Sequence, residues 1–490
     1  MKTTLVPFLL LFIIVCACGP SPENSTGIDA IKESDIKKDL YAMADDHFRG
    51  RESGTLDELK ASVWLAQQAR TSGLLPAGDD STFFQFFNLQ RAVLSKNSVV
   101  SIGGRAYAVF DDAIPMQTAE SNVSSLGVYI KDFKALDKYD LKGKAAIVQP
   151  DGISQDNATS GRRYVRLLYQ KYAPAIMAKG AAAIIFIADE QVEASWKIIA
   201  ASIGRGDYQV EVPLAKKGTR GAAIPSIWLH QSELNFASQP NLKIDLKLQL
   251  ERFEYPSVNI VGLVRGTDPQ LNGEYVLFSA HQDHDGIRPS LTNDSIYNGA
   301  DDNASGSVAL LAIARAFKKQ PAKRSALFVW HGAEERSMLG SRWFTNFPTV
   351  PKKDIVAVLN ADMIGRNNPD SMALLGSQSP HKNSSDLVAI ALEANEAGPK
   401  FKLDTLWDKV DHPQGFYFRS DHMPYARVGA PAIFYTSLLH PDYHTPRDEP
   451  QTIDYKKLVK VAQWMYLTGW IVANNPGRPK VDEGFELEKP

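Results

Sequence analysis

Cysteine is almost absent from this sequence. Only 2 of its 490 residues are cysteine, and both lie close to the N-terminus, at Cys16 and Cys18. If processing removes Cys16 and modifies Cys18, the mature chain has no disulfide framework and no thiolate-bound structural zinc site. Apolar residues make up 44% of the sequence, which is enough for a buried core. Without disulfides, we expect the folded chain to be stabilised by this core and by metal ions bound through residues other than cysteine.

An excess of charge of either sign is also missing. The 54 basic and 56 acidic residues nearly cancel, which gives no basic surface of the kind that binds nucleic acid or an anionic membrane. Three catalytic motifs are absent as well, namely H-E-x-x-H, G-x-S-x-G and G-x-x-x-x-G-K-[ST]. These absences exclude a simple zincin, the nucleophile elbow of serine hydrolases and a P-loop.

The N-terminal segment predicts export. Lys2 precedes the apolar run "LVPFLLLFIIV", which has secretory length and is too short for a membrane span. The run ends in "VCACGP", whose residues before Cys18 resemble the lipobox of bacterial lipoproteins. We therefore expect a signal peptide over residues 1–18 and a lipid on Cys18 as the only membrane attachment, in the periplasm or outer membrane of a bacterial cell envelope. An ordinary cleaved signal peptide is the alternative.

Changes in the pattern of apolar runs and turn residues along the chain predict its domains. Short β-type runs such as "AAIVQP" and "AAAIIFIA", separated by Gly, Asp and Lys turns, suggest an inserted β-rich domain. After Val258, strand-length apolar runs alternate with stretches at helical spacing, which predicts an α/β sheet with helices on both faces. The predicted divisions are a flexible tether (19–30), the first part of the catalytic domain (31–95), the insert (96–250), the main catalytic part (251–478) and a C-terminal tail (479–490).

One helix before the insert is predicted in detail. The stretch "LDELKASVWLAQQARTSG" has apolar residues at helical spacing and a glycine at its end. This spacing predicts an apolar face formed by Leu56, Leu59, Val63 and Ala66. Gly73 is predicted to end the helix. We expect this helix to be part of the scaffold.

Polar side chains follow the predicted strands of the second half. They are His281 and Asp283 after "EYVLFSA", His331, Glu334 and Glu335 after "SALFVW", Asp362 within "IVAVLNADMIG", His440 and His444 after "PAIFYTS", and Asp301 and Asp302 in the loop "YNGADDNASG". In an open α/β sheet, ligands bind outside the carboxyl ends of the strands. Imidazoles and carboxylates gathered there suit a divalent metal, zinc above all, with an open position for water.

Five motifs in order resemble one enzyme family. "SAHQDHDG", "NGADDNASG", "HGAEERSMLGS", "LNADMIGR" and "DYHTPRDEP" resemble the di-zinc exopeptidases of peptidase family M28, of the leucyl aminopeptidase and aminopeptidase Y type. Runs such as "LKGKAAIVQP" and "AAIPSIWL" make the insert resemble a protease-associated domain, with a plain α/β layer of the catalytic domain as the alternative. The implied fold is a doubly wound mixed α/β sheet with helices on both faces and an inserted β-rich domain.

The resemblance also implies roles for single residues. Two zinc ions would be bound, and their ligands are His281 and Asp362 for one ion, Glu335 and His444 for the other, and Asp302 as the bridge, with a cis peptide bond after it. Glu334 would be the general base for a hydroxide that bridges the metals. Asp283 would orient the first histidine ligand, Tyr443 would donate to the oxyanion and Arg419 would contact substrate. His284 matches no ligand position.

The implied activity is that of an aminopeptidase, which removes N-terminal residues from peptides. A carboxypeptidase stays open, because Arg336, Arg366 and Arg419 lie near the metal motifs and could bind a terminal carboxylate. Other reactions on the same fold, such as deacylation or glutaminyl cyclisation, are further alternatives. A non-catalytic peptide-binding lipoprotein is the last, although the complete ligand set argues against it.

Overall fold

The structure is a computed structural model that describes residues 27–153, 161–211, 224–289 and 293–487. The predicted signal peptide, Cys18 and most of the tether lie outside these residues. Within the described ranges, no helix combines the length and the apolar character needed to cross a membrane.

The described strands are, in chain order, Leu75–Pro76 (β1), Phe84–Leu94 (β2), Val99–Ile102 (β3), Arg105–Tyr107 (β4), Ala113–Pro115 (β5), Ser121–Ile130 (β6), Ala145–Val148 (β7), Ala183–Ile187 (β8), Asp207–Gln209 (β9), Ser226–Leu229 (β10), Lys243–Leu248 (β11), Leu250–Val264 (β12), Tyr275–His281 (β13), Gly286–Ile287 (β14), Ile296–Tyr297 (β15), Ser325–His331 (β16), Ile355–Ala361 (β17), Ser371–Leu375 (β18), Lys402–Asp404 (β19) and Ala432–Thr436 (β20). The α-helices are Glu33–Met43 (α1), Leu56–Thr71 (α2), Gly161–Ala178 (α3), Glu190–Gly204 (α4), Leu234–Ala237 (α5), Gly306–Lys319 (α6), Leu339–Asn346 (α7), Ser385–Ala397 (α8), His422–Arg427 (α9) and Tyr455–Asn474 (α10).

The larger sheet has ten strands in the order β19-β18-β20-β17-β13-β16-β12-β2-β9, with β1 paired to β12. Its centre is parallel, because β20, β17, β13 and β16 all run in one direction. Antiparallel strands flank this centre, namely β18 on one side and β12 with β2 on the other. The four parallel strands therefore end at one edge, where the sequence placed the polar groups.

Helices cover both faces of the larger sheet, which confirms the predicted α/β architecture. Successive residues of β13 point to opposite sides, so Phe278 packs in one core cluster and Leu277 in another. The first cluster includes residues of α1, α6, α8 and α10, and the second includes residues of α7 and α9. The central strands are buried on both sides, which explains their nearly continuous apolar sequences.

Helix α2 is present where predicted, but the predicted apolar face was wrong. Leu56 and Val63 are 73% and 48% exposed, whereas Ala66 is buried as expected. The buried face also carries Glu58 and Ser62, which form side-chain hydrogen bonds with β12 and with the loop after β13. Polar residues that are buried through hydrogen bonds cannot be recognised from the spacing of apolar residues. The spacing therefore predicted the wrong side of the helix as the buried face.

A second sheet is formed by the chain between β2 and β12. It has eight strands in the order β4-β3-β11-β6-β7-β8-β10-β5, of which β6, β7, β8 and β10 are parallel. Two long helices, α3 and α4, pack on it around buried aromatic residues. The insert thus contains more helix than its predicted β-rich character suggested, and its protease-associated identity stays a prediction. Strands β2 and β12 pair along their length and connect the two sheets.

Candidate metal centre

The carboxyl ends of the central parallel strands bring the predicted ligands together. His281 is the last residue of β13, Glu335 follows β16 and Asp362 comes directly after β17. His444 lies in the loop after β20, and Asp302 lies in the turn that precedes α6. The five residues belong to two groups of metal-binding atoms, each within 4.8 Å of one another.

The first group consists of His281, Asp302 and Asp362. Nε2 of His281 lies 3.2 Å from Oδ1 of Asp302 and 3.4 Å from Oδ1 of Asp362. The other carboxylate oxygen of Asp362 accepts a hydrogen bond of 2.7 Å from the Ser420 hydroxyl, which holds the free oxygen toward the imidazole.

The second group consists of His284, Asp302, Glu335 and His444. Nε2 of His444 lies 3.0 Å from Oδ2 of Asp302 and 3.2 Å from Oε1 of Glu335. Asp302 therefore contributes one carboxylate oxygen to each group, as a bridging ligand does. The peptide bond from Asp302 to Asn303 is cis, as the resemblance implied.

The atoms of these groups fit divalent metal ions. His281 Nε2 and Asp362 Oδ1 are buried, and neither has a hydrogen-bond partner among the described residues. Zinc binds nitrogen and oxygen at about 2.0–2.2 Å, so donor atoms about 3.3 Å apart are the spacing of one tetrahedral shell. The donors are imidazoles and carboxylates without thiolates, which suits zinc and similar ions in an open site.

A buried carboxylate fixes the turn that carries the bridging residue. Asp448 accepts hydrogen bonds of 3.0 Å from the backbone N–H groups of both Asp301 and Asp302. Asp301 in turn accepts a hydrogen bond of 2.6 Å from the Gly365 N–H and takes no part in either metal group. The loop after β17 and the segment after His444 thus hold the bridging carboxylate in place from two sides.

Asp283 contacts more than the histidine it was expected to orient. Nδ1 of His281 lies 3.2 Å from the main-chain oxygen of Asp283 and 3.9 Å from its carboxylate. The carboxylate accepts hydrogen bonds from the backbone N–H groups of Glu334 and Glu335, at 3.0 and 3.3 Å, and from Ser53 at 2.5 Å. The main-chain oxygen of Asp283 therefore positions the His281 ring, and its carboxylate positions the backbone of both glutamates.

Glu334 lies beside the metal groups and belongs to neither of them. Its Oε2 is 4.0 Å from Nε2 of His281, farther than the ligand oxygens. Burial raises the pKa of the Glu334 carboxyl well above its ordinary value, and the nearby Asp421 and Glu335 raise it further. The side chain thus lies close to both groups without belonging to either.

Tyr443 and Arg419 contact each other at the rim of the centre. Nη2 of Arg419 donates a hydrogen bond of 2.9 Å to the Tyr443 hydroxyl oxygen, and the Tyr443 ring stacks on His444. The Arg419 guanidinium also lies over the Phe416 ring. No carboxylate of the described chain lies within ion-pair distance of Arg419.

The charges of the centre depend on one another. Burial alone would lower the pKa of the His281 imidazole, but Asp362 and Asp302 raise it well above its ordinary value. Burial would likewise raise the pKa of the Asp302 carboxyl, yet the neighbouring His281 and His444 imidazoles bring it below the usual range. The imidazoles and carboxylates of the two groups therefore share protons with one another, and bound cations would replace these protons.

Two residues near the centre were missed by the sequence-based prediction. His284 was assigned no ligand position, although it belongs to the second group. Asp285 was not considered, and its carboxylate lies 3.5 Å from Nδ1 of His444 and pairs with Arg205 at 2.6 Å. The only signal in the sequence was the density of ligand-type residues in "HQDHD" itself.

Comparison with known proteins finds a family match in the second half of the chain. Residues 259–468 match the model of peptidase family M28. An aminopeptidase of Pseudomonas aeruginosa is 31% identical over 149 residues, which cover 30% of this chain and 25% of that protein. Aminopeptidase YwaD of Bacillus subtilis is 26% identical over 245 residues, 48% of this chain and 49% of that protein. The chain thus spans half or less of these M28 relatives' length.

Solved structures support the fold across nearly the whole chain. A zinc aminopeptidase from Bacillus subtilis, BSAP, has a TM-score of 0.57 at 18% identity and covers 93% of this chain and 99% of that one. An aminopeptidase from Aneurinibacillus sp. strain AM-1 has a TM-score of 0.56 at 17% identity, with 93% and 97% covered. At these identities the likeness extends to the fold alone.

Proposed function

We propose that the protein is a metal-dependent aminopeptidase that binds two zinc ions and removes N-terminal residues from peptides. The observation that carries the proposal is the pair of ligand groups sharing Asp302, with Glu334 beside them. The match of residues 259–468 to peptidase family M28 and the aminopeptidase names of several relatives support it. The two ions would polarise a peptide carbonyl and make a water molecule more acidic.

The side chains around the ions have separate tasks in this proposal. Glu334 takes a proton from the attacking water and delivers it to the leaving amine. The Tyr443 hydroxyl accepts its hydrogen bond from Arg419, so its own proton is free to point at the oxyanion that develops on the carbonyl. Asp283 keeps both glutamates in position through their backbone N–H groups.

The state of the arginines favours an aminopeptidase over a carboxypeptidase. Arg336 lies 3.2 Å from Glu52, and Arg366 lies 2.7 Å from Asp442. Both guanidinium groups are thereby paired within the protein, which leaves Arg419 alone of the three to bind a substrate carboxylate. Both terminal nitrogens of Arg419 already donate hydrogen bonds, to Gln414 and to Tyr443, so this arginine is poorly placed for bidentate binding of a C-terminal carboxylate.

The test compares substrates that differ only at their ends. Purified mature protein is incubated with short peptides that have both ends free, an acetylated N-terminus or an amidated C-terminus, and metal content is measured on the same sample. We expect two metal equivalents per chain and cleavage of every peptide with a free N-terminus. Cleavage that needs a free C-terminus would establish a carboxypeptidase, and a chain without bound metal or activity would contradict the proposal.

We further propose that the protein acts at the bacterial cell envelope, attached by a lipid on Cys18, and that the insert shapes access to the centre. The sequence of the N-terminal segment supports the first point. The contacts of Arg163 in α3 with Gln414 and of Arg205, directly after α4, with Asp285 support the second. Expression of the full chain and a Cys18→Ala variant tests the attachment. The wild-type protein is expected in the membrane fraction, and equal distribution of the two proteins would contradict the lipid.

A further inference from the structure

His284 is a buried histidine that the expected ligand set leaves without a role. It follows β13 by three residues and is 0% exposed. Its ring faces the ring of His444 edge-on, with centroids 5.4 Å apart and planes at 81°. The imidazole therefore lies at the second ligand group, where a buried nitrogen needs a partner.

One nitrogen of His284 is placed among the ligand atoms of that group. Nδ1 lies 3.0 Å from Oε1 of Glu335 and 4.0 Å from Oδ2 of Asp302. Nε2 of His444 completes the set, at 3.0 Å from Asp302 and 3.2 Å from Glu335. The two nitrogens and two oxygens of this group thus lie within 4.8 Å of one another, close enough for one metal ion to contact all four.

The local backbone fixes the ring in this orientation. The His284 N–H donates a hydrogen bond of 3.2 Å to the Arg51 carbonyl oxygen, which ties the residue to the N-terminal segment. The ring then packs against the Cα of Gly299, where a Cβ atom would lie 2.5 Å from two ring carbons. Gly299 also has a φ of +56°, so glycine suits this position for both reasons.

We propose that Nδ1 of His284 is a fourth protein ligand of the metal ion that Asp302, Glu335 and His444 bind. The inference rests on the metal centre of the proposed function and adds a residue to it. The ring gives its lone pair through Nδ1 and keeps its proton on Nε2. A hydrogen bond from His284 to Glu335 in the metal-bound protein is the alternative arrangement of the same contact.

A fourth ligand makes the two metal positions unequal. The second group then offers two imidazoles and two carboxylates, whereas the first offers one imidazole and two carboxylates. Additional imidazole donors raise the affinity for zinc. We therefore expect the metal-free chain to bind its first zinc ion at the second group and its second ion more weakly at the first group.

The direct test counts imidazoles around a single bound zinc ion. The full-length Asp362→Asn variant, in which the first group is weakened, is loaded with one equivalent of Zn²⁺ and studied by X-ray absorption spectroscopy. Two imidazoles per zinc, from His284 and His444, are the expected result. One imidazole per zinc would overturn the inference, because His284 would then be only a hydrogen-bond partner of Glu335.

A second test measures affinity and needs no activity. Competition with a zinc chelator is applied to the wild type, His284→Ala, His284→Gln and the control His331→Gln. His331 is equally buried, but its nitrogens contact Asn259 at 3.2 Å and the Tyr425 hydroxyl at 3.1 Å. We expect both His284 variants to lose more affinity for the first ion than the about 10- to 100-fold that loss of a hydrogen-bond partner of a ligand costs, and the control to lose none.

The two tests separate failure of this inference from failure of the proposed function. Unchanged affinity in both His284 variants, with two ions still bound, would overturn the fourth ligand and leave the aminopeptidase intact. Absence of zinc binding by the wild-type chain would overturn both. Loss of affinity in the His331 control as large as in the His284 variants would show that any buried histidine has this effect, and would equally contradict the inference.

Discussion

Two adjacent glutamates illustrate how much the position of a single residue decides. Glu335 has an oxygen 3.2 Å from the His444 imidazole, whereas the nearest ligand nitrogen to Glu334 is 4.0 Å away. Both backbone N–H groups donate to the same aspartate, Asp283. The two carboxylates therefore differ in position because consecutive side chains leave the backbone in different directions. In the proposed function, Glu335 would bind a metal ion and Glu334 would be left for proton transfer.

Glu334→Gln is expected to keep the metal and lose the reaction. An amide of the same shape cannot take a proton, and general base catalysis contributes about 10²- to 10⁴-fold to rate. We expect kcat to fall by about that factor with metal content unchanged, measured by steady-state kinetics and metal analysis on one sample. Glu335→Gln is the matched control and is expected to lose metal. A Glu334→Gln protein with near wild-type kcat contradicts the assignment.

Glu58 is a buried acid outside the metal groups whose titration affects stability. Its carboxyl accepts hydrogen bonds of 2.6 Å from the Ser257 hydroxyl and the Gly54 N–H. Burial raises its pKa to about 8 from an ordinary value of 4.5, with a further contribution from Asp283 and an opposing one from Arg336. The native state therefore holds a proton on Glu58 at pH values where the unfolded chain has released it.

This difference predicts a loss of stability as the pH rises. Below pH 4.5 both states are protonated, and between pH 4.5 and about 8 only the native state is. Unfolding then releases a proton, so the free energy of unfolding falls by about 1.4 kcal/mol per pH unit from this group. Glu58→Gln removes the effect. Urea unfolding at pH 5 and pH 8 should show a smaller decrease for the variant than for wild type, and equal decreases would contradict the assignment.

At the scale of elements, the N-terminal segment supports the metal-bearing loops through Arg51. The fully buried guanidinium donates hydrogen bonds to four carbonyl oxygens, those of Met43, Gln282, Asn298 and Gly299. Burial lowers its pKa to about 10, so it remains charged at neutral pH. One side chain thus joins the end of α1 to the loop after β13 and to the turn before Asp302.

Arg51→Lys is expected to be strongly destabilising although it keeps the charge. An ammonium group is compact and cannot reach four separated carbonyls, and each buried acceptor left unpaired costs about 1–3 kcal/mol. We expect a loss of at least 3 kcal/mol in urea unfolding and weaker zinc binding. The control is Arg49→Lys, since Arg49 is 55% exposed and contacts only Asp57 among carboxylates. Equal stability of the two variants would show that the four hydrogen bonds are unimportant.

The sequence predicted the elements that repeat a simple pattern. Strands β13, β16, β17 and β20 were found because buried parallel strands are nearly all apolar. The candidate ligands were recognised because most of them follow those strands. The buried face of α2 was not found, because Glu58 and Ser62 are buried through partners far along the chain. His284 was not found either, since its place depends on Gly299 and on the Arg51 carbonyl.

At the scale of the whole molecule, the helices on the second sheet contact the surroundings of the metal centre through a few partly buried polar groups. Arg205, directly after α4, pairs with Asp285 at 2.6 Å, and Asp285 lies 3.5 Å from the ligand His444. From α3, Arg163 donates a hydrogen bond of 2.7 Å to Gln414 in the metal-bearing half. Sequence patterns predict neither contact, because each joins an insert residue to a loop more than fifty positions away.

The Arg205 contact gives a prediction for the whole protein. Arg205→Ala removes one partner of a buried carboxylate, which costs about 3–5 kcal/mol when no other cation is near. Arg336 and Arg288 lie 3.7 and 3.9 Å from the same carboxylate and compensate in part, so we expect a loss below that range. The freed Asp285 should also disturb His444 and lower kcat/KM by at least 10-fold. The experiment combines urea unfolding, steady-state kinetics and hydrogen exchange of residues 190–211.

An exposed arginine in the same sheet shows whether this effect belongs to the contact. Arg105 pairs with Glu233 at 2.9 Å, but its side chain is 57% exposed, and exposed pairs contribute about 0–1 kcal/mol. Arg105→Ala should therefore leave kcat/KM unchanged, whereas Arg205→Ala lowers it and speeds exchange in α4. If both variants behave like wild type, the insert does not support the centre through Asp285, and its role must lie in contacts with substrate instead.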